Sequence, residues 1–248
     1  MIKKKISIVT PFYNEEDSID YYFSSILDFI NKLIDKYDFE IIGVDDGSND
    51  KTLEKLFYYQ KKNSFITIIE LSRNFGKEPA LTAGIDQSNG DAVIPFDADL
   101  QDPVDVISIL IKEWEKGYDV VTAKRLDRSN ESFFKRITAQ LFYKFHNYLS
   151  PIKIPENVGD FRLMDKKVVT VFKALPETQR YLKGIFAWLG FKTKSINYVR
   201  QKRMKGITKM SNIKLWNLAI EGITSFSVVP LKIWSYIGFL LSIIILIY

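Results

Sequence analysis

The stretch Ala92-Val93-Ile94-Pro95-Phe96-Asp97-Ala98-Asp99-Leu100-Gln101-Asp102-Pro103 decides how the chain is read. A short apolar run ends in a loop of carboxylates closed by proline, the pattern of a buried strand followed by a polar turn. The same unit recurs upstream: Ile6–Thr10 runs into Pro11-Phe12-Tyr13-Asn14-Glu15-Glu16, and Glu40–Val44 into Asp45-Asp46-Gly47-Ser48-Asn49-Asp50. Ile66–Leu71 runs into Ser72-Arg73-Asn74-Phe75-Gly76-Lys77, and Val120–Ala123 reads as a fifth strand. Helical patterns fill the gaps over Ser18–Tyr37, Lys51–Lys62, Lys77–Gln87 and Val104–Lys116. Strand and helix in alternation imply an α/β fold around a mainly parallel sheet, and such sheets take ligands beyond the carboxyl ends of their strands. All four polar clusters fall at that edge. Each alone is an ordinary turn or helix cap. Together, with two carboxylate pairs among them, they concentrate like charge around a centre suited to a cation or a donor-rich ligand.

Composition narrows the function further. With 248 residues, 46% hydrophobic and 26% charged, the chain can bury a sizeable core, so disorder is excluded for most of it. The absence of Cys excludes a disulfide scaffold, thiolate zinc and a cysteine nucleophile, and the lone His146 excludes a polyhistidine metal site. The net charge of +5 is local: Lys192–Lys214 holds eight basic residues and no acidic one, leaving 27 basic against 30 acidic elsewhere. A general polyanion surface is not expected, and nucleic acid is not an expected partner, because the basic patch adjoins an apolar stretch. Met1–Lys5 leads at once into a strand with no signal-like apolar run, which places the N-terminal part in the cytosol. Leu231–Tyr248, LKIWSYIGFLLSIIILIY, is uncharged after Lys232, and its 18 residues would make a helix of about 27 Å. With Trp234 and Tyr236 at an interfacial level it reads as the start of a transmembrane region continuing past Tyr248, the alternative being a buried helix. Ser211–Val229, apolar on one side and following the basic stretch, reads as an amphipathic helix on a membrane surface, or else as a core helix.

Taken in order, Pro11–Glu16, Asp45-Asp46-Gly47-Ser48, Arg73-Asn74-x-Gly76-Lys77, Asp97–Pro103 and Gly159-Asp160-Phe161-Arg162-Leu163 resemble family 2 glycosyltransferases. The resemblance is to the polyprenyl-phosphate subgroup, the dolichyl-phosphate mannosyltransferases and bactoprenol glucosyltransferases. It continues through Leu175-Pro176-Glu177, Trp188–Phe191, Arg200-x-x-Arg203-x-x-Gly206 and Ser225-Phe226-Ser227-x-x-Pro230-Leu231. It implies a GT-A-type, Rossmann-like fold over a cytoplasmic catalytic domain, 1–210, followed by an interface helix, 211–230, and a transmembrane segment, 231–248. It also implies a nucleotide-sugar donor, a polyprenyl-phosphate acceptor, Mg²⁺ or Mn²⁺ as cofactor, and a homo-oligomer at the inner membrane.

Carried onto this sequence, the resemblance makes Asp97, Asp99 and Gln101 hard oxygen ligands for a metal that bridges the donor diphosphate. Pro11, Tyr13, Asn14, Glu15, Asp46, Lys77, Asp97 and Ala98 are expected around the nucleotide sugar, and Asp99, Asp160 and Arg203 as catalytic residues. Arg125, Arg136, Arg200 and Arg203 are the phosphate-binding candidates, since guanidinium groups bind phosphate oxygens bidentately. A phosphate acceptor is its own nucleophile, so no Ser, Cys or His triad is needed and Asp160 is expected to orient the sugar rather than abstract a proton. For Asp160 the alternative is a turn residue paired with Arg162, and for Lys209 and its neighbours it is attraction to lipid headgroups. UDP-glucose is favoured over GDP-mannose by the Ile- and Lys-rich, bacterial character of the chain. A processive polysaccharide synthase would carry Gln-x-x-Arg-Trp, which Gln179-Arg180-Tyr181 does not match. An inactive, membrane-anchored binding protein is the reading from another class, and the intact Asp97-x-Asp99 weighs against it.

Overall fold

A computed structural model describes residues 3–126, 153, 158–177, 181–201, 224 and 229–248. The N-terminal part alternates as expected: β1 (Lys4–Phe12), α1 (Ile19–Leu33), β2 (Tyr37–Asp45), α2 (Thr52–Lys62), β3 (Ile66–Glu70), α3 (Lys77–Gln87), β4 (Ala92–Pro95), α4 (Val106–Glu115) and β5 (Val120–Arg125). Then follow β6 (Val158–Asp165), α5 (Lys166–Lys173), α6 (Leu182–Trp188), β7 (Thr193–Tyr198) and α7 (Val229–Ile247). The strands form one sheet in the order β3-β2-β1-β4-β6-β5-β7. It is mainly parallel, with β6 antiparallel to both of its neighbours.

Side-chain alternation along the central strands builds a core on each face. Ile6, Ile8 and Ile41 pack beneath α1 and α4 with Tyr22, Phe23 and Ile107. Val9, Val44 and Met164 pack beneath α3, α5 and α6 with Leu81, Phe172 and Phe186. The expected helix over Ser18–Tyr37 is shorter than the sequence suggests. It ends at Leu33, because Tyr37 and Phe39 alternate with polar neighbours and pair with β1 as the first residues of β2.

The end of the sheet opposite the polar loops is tied by Glu40. Its carboxylate accepts from Ser7 Oγ and from the Asn89 backbone N–H at 2.7 Å, and pairs with Lys5. Burial opposes ionisation there, but Lys5, Ser7 and the Asn89 amide outweigh it and hold the Glu40 carboxyl below the ordinary range. A depressed folded-state pKa contributes stability above the unfolded value, near 4.3, and loses it as pH falls through the folded value. Glu40→Gln is therefore expected to lower the melting temperature at pH 7, with the deficit against the native chain closing as the pH falls below about 4. Thermal melts across that range check the sign, and a deficit constant with pH would refute it.

The C-terminal expectation needs correction. The apolar run is helical, as α7, but among the described residues no helix is long and apolar enough to cross a membrane. Lys232 sits near its start, and the uncharged part that follows, Ile233–Ile247, rises only about 22 Å against a hydrocarbon core of about 30 Å. Nor is it a buried helix: Trp234 is 71% and Leu246 88% exposed. The expected amphipathic helix over 211–230 falls almost wholly outside the described residues.

Candidate active site

The carboxyl edge gathers the polar clusters through contacts between loops. After β1, Asn14 takes a left-handed conformation (φ 50°), which asparagine tolerates better than most residues. Its backbone N–H donates to Ser48 Oγ at 2.9 Å, and its Oδ1 accepts from the Asn49 N–H at 2.8 Å. The Glu15 N–H donates to Thr52 Oγ1 at 2.7 Å, and the Glu15 carboxylate accepts from Ser18 Oγ at 2.6 Å. The loops after β1 and β2 are thus fastened together, with Pro11 and Tyr13 half-buried at their junction.

Asp46, at the end of β2, is buried and faces the loop after β3, where its two oxygens accept from the N–H groups of Phe75 and Gly76 at 2.7 and 2.9 Å. Burial raises its carboxyl above the ordinary range, the two amides oppose that rise, and the neighbouring Asp45 adds to it. Its position therefore couples the nucleoside-side loop to the start of α3, where Lys77 stands. Gly47 makes the close approach possible, with φ 67° and the backbone of Arg73 and Asn74 against its Cα.

Lys77 is the hub of the site. Its ammonium lies 2.7 and 2.9 Å from the two oxygens of Asp97 and 2.8 Å from Asp160 Oδ2. Burial opposes that charge, but Asp160 and Asp97 outweigh it and hold the ammonium above the ordinary lysine range. Asp97 arrives at the end of β4 as the sequence reading placed it. Asp160 arrives by a route that reading did not contain. Because β6 runs antiparallel, its first residues lie at the edge where its parallel neighbours end. The next loop residues follow: Ala98 is buried, Leu100 takes φ 49°, and Asp99 Oδ1 accepts from the Gln101 N–H at 3.2 Å. The carbonyl of Gln101 accepts from the Gln201 N–H at 2.8 Å, which ties this loop to the chain leaving β7.

A second polar knot, absent from the sequence reading, lies beside the first. Asp102 is buried, accepts from the Tyr198 hydroxyl at 2.5 Å and faces Arg200 Nε at 3.3 Å. Arg125 Nε donates to the same hydroxyl at 3.3 Å. Burial pushes the Asp102 carboxyl up, Asp97 adds to the rise, and Arg200 opposes it. Arg125 and Arg200 are thus brought together around one carboxylate, within the electrostatic reach of Asp97. Asp102 was legible only as part of a loop motif, and nothing local marks Tyr198, since its partner is 96 residues away. Arg136 and Arg203 lie outside the described residues.

Among the described residues no group of three or more His, Cys, Asp or Glu side chains is placed to hold a metal by itself. The donor set nevertheless fits a hard divalent cation shared with a ligand. Mg²⁺ is commonly held by one or two carboxylates with substrate phosphates and water completing its shell. Asp97 and Asp99 supply two carboxylates on one turn, and a cation, the Lys77 ammonium, already sits on Asp97.

A parallel-edged α/β sheet whose loops converge on Asp97, Asp160 and a basic cluster is the frame of a sugar-nucleotide transferase, and the chain belongs to glycosyl transferase family 2, matching it over residues 7–172. Within the family the chain is similar to the polyprenyl-phosphate subgroup. It is 48% identical to a bactoprenol glucosyl transferase of Shigella phage SfV over 98% of this chain and 79% of that protein. It is 50% identical to an uncharacterized glycosyltransferase of Synechocystis sp. over 98% of this chain and 76% of that protein. The fold, an α/β GT-A-like mixed sheet, matches glucosyl-3-phosphoglycerate synthase from Mycobacterium tuberculosis, solved with Mn²⁺, UDP-glucose and phosphoglyceric acid. That match has a TM-score of 0.58 at 20% identity, over 89% of this chain and 77% of the other. A mannosyltransferase from Pyrobaculum calidifontis, solved with GDP-mannose and Mn²⁺, matches with a TM-score of 0.57 at 17% identity, over 83% of this chain and 58% of the other.

Proposed function

We propose that the chain transfers glucose from UDP-glucose to a polyprenyl phosphate at the cytoplasmic face of a membrane, with inversion at the anomeric carbon. The observation that carries this reading is the bridge Asp97–Lys77–Asp160, which joins the loop suited to a donor diphosphate to the residue suited to the sugar. The name borne by relatives 48% identical over nearly the whole chain supports the choice of glucose and of an isoprenoid acceptor. The exposed apolar side chains of α7 support attachment to a membrane, where such an acceptor resides.

In the reaction a phosphate oxygen of the acceptor forms a bond to the anomeric carbon while the bond from that carbon to the nucleoside diphosphate breaks, and the electron pair leaves with the diphosphate. The acceptor oxygen is ionised at neutral pH, so the step needs no general base. Asp160, held by Lys77, orients the sugar and faces the positive charge that develops at its anomeric carbon. Asp97, Asp99 and Gln101 would hold Mg²⁺ or Mn²⁺, which when bound offsets the growing charge of the leaving diphosphate. Arg125 and Arg200, now turned to Asp102 and Tyr198, supply further positive charge at the same edge.

The test is transfer of radiolabel from UDP-glucose to undecaprenyl phosphate in detergent with Mg²⁺ or Mn²⁺, alongside GDP-mannose and other UDP-sugars. Label is expected in the lipid phase from UDP-glucose. Label from GDP-mannose alone would move the assignment to a mannosyltransferase, and no transfer from any donor would overturn the reading.

A further inference from the structure

On the α6 side of the sheet, next to Asp160, lies a cavity of about 190 Å³ between β5, β6 and α6. Its lining includes Arg162, Lys153, Thr122, Val158, Phe186 and Phe191, and no described lining residue is acidic. Arg162 is 4% exposed. Its Nε donates to the Asp160 carbonyl at 3.3 Å, its Nη2 to the Gly159 carbonyl at 2.8 Å, and its guanidinium lies 4.6 Å from the centre of the Phe186 ring. A guanidinium has five N–H donors, so about three of them have no hydrogen-bond partner among the described residues. The nearby carboxylate, Asp160, is itself held by Lys77. Burial pulls the Arg162 guanidinium down to about 10, with Asp160 opposing, which leaves it charged at neutral pH. A charge so buried, with carbonyls for partners and a second cation beside it, is costly unless an anion shares the site.

We propose that this cavity seats the phosphate and the first isoprene unit of the acceptor, an isoprenyl monophosphate, with Arg162 as its buried anchor and Lys153 at its mouth. The inference rests on the transferase reading and adds a position to it. The mixed lining suits an amphiphile better than a free ion: guanidinium and ammonium for the phosphate, Val158, Phe186 and Phe191 for the chain. Residues two apart on a strand share a face, so Asp160 and Arg162 stand on one side of β6, about 7 Å apart along it. A phosphate on Arg162 would present an oxygen toward the sugar that Asp160 orients.

The test uses the full chain with farnesyl phosphate as the probe, set against farnesol, inorganic phosphate and UDP in thermal-shift titrations. Farnesyl phosphate is expected to raise the melting temperature, with farnesol and inorganic phosphate ineffective at the same concentration. Arg162→Gln and Lys153→Glu are expected to abolish that shift and leave the UDP shift intact. In transfer assays they should raise the acceptor KM about tenfold or more with the donor KM unchanged. Should Arg162→Gln fail to fold, the exposed Lys153→Glu decides the matter alone. An acceptor KM and a farnesyl phosphate shift unaltered in the folded variants would overturn the proposal, as would an equal shift from inorganic phosphate. Binding of farnesyl phosphate that depends on Arg162, in a protein that transfers no sugar, would sustain the site and sink the transferase reading. Transfer that ignores both substitutions would do the reverse.

Discussion

Asp99→Asn is expected to lower kcat for sugar transfer by about a hundredfold or more, with melting temperature and circular dichroism unchanged. The expectation follows from where charge changes in the reaction. A diphosphate gains negative charge as the glycosidic bond breaks, and the groups that offset it act on the transition state rather than on the bound substrate. Asp99 and Asp97 are the carboxylates on the loop after β4, but their surroundings differ in a way that makes Asp99 the cleaner probe. Asp97 also holds the Lys77 ammonium, so Asp97→Asn would disturb Asp160 through Lys77 at the same time. Asp99 accepts a backbone N–H of its own loop, a bond that an asparagine carbonyl can still accept. The measurement is kcat across a Mn²⁺ titration, with excess chelator as a second arm. Full turnover by Asp99→Asn, or native turnover in chelator, would remove the metal from the account.

The parts of this molecule that could be read in the sequence are those written locally. Four strands are continuous apolar runs because parallel strands are covered on both faces, and each ends in the loop it delivers to the site. β6 and β7 carry no such signature. Val158–Asp165 places Asp160 and Arg162 inside the strand, which breaks the apolar run, and Thr193–Tyr198 is an edge strand with mostly exposed side chains. The placement of Asp160 was therefore reached through a motif, while the antiparallel strand that delivers it was not. The role expected for Lys77 shifts for a related reason. Its place at the start of α3 beside Gly76 suggested a phosphate contact, but its carboxylate partners come from two other loops, and pairing across the sheet edge has no sequence period to reveal it. The knot of Asp102, Tyr198, Arg125 and Arg200 was hidden in the same way. Leu231–Tyr248 shows the converse limit, in that composition forecast an apolar helix correctly while the reach of its uncharged part falls short of a bilayer.

Gly47→Ala is expected to destabilise the chain by about 3 kcal/mol or more and to abolish binding of the nucleotide sugar. Two effects combine at this position. The backbone stands at φ 67°, where an L side chain is strained. A Cβ there would also lie 2.4 Å from the carbonyl carbon of Arg73 and 2.6 Å from the nitrogen of Asn74. Both are backbone atoms, so no rotamer change relieves the overlap, and the loop after β3 has to move away. That movement stretches the bonds from Phe75 and Gly76 to Asp46, at 2.7 and 2.9 Å, and leaves a buried carboxylate without the amides that offset its desolvation. It also shifts Gly76 and Lys77, so the damage should extend from the nucleoside side to the bridge between Asp97 and Asp160. Gly117 separates the two effects, because it stands at φ 88° with nothing within 4 Å of the position its Cβ would take. Gly117→Ala should therefore report the backbone strain alone, about 1–2 kcal/mol, with donor binding intact. At roughly 2–4 °C per kcal/mol for a chain of this size, Gly47→Ala should melt about 6–12 °C below the native protein and clearly below Gly117→Ala. Equal melting temperatures for the two variants, or native affinity for UDP-glucose in Gly47→Ala, would mean that the loops after β2 and β3 are not mechanically coupled through Asp46.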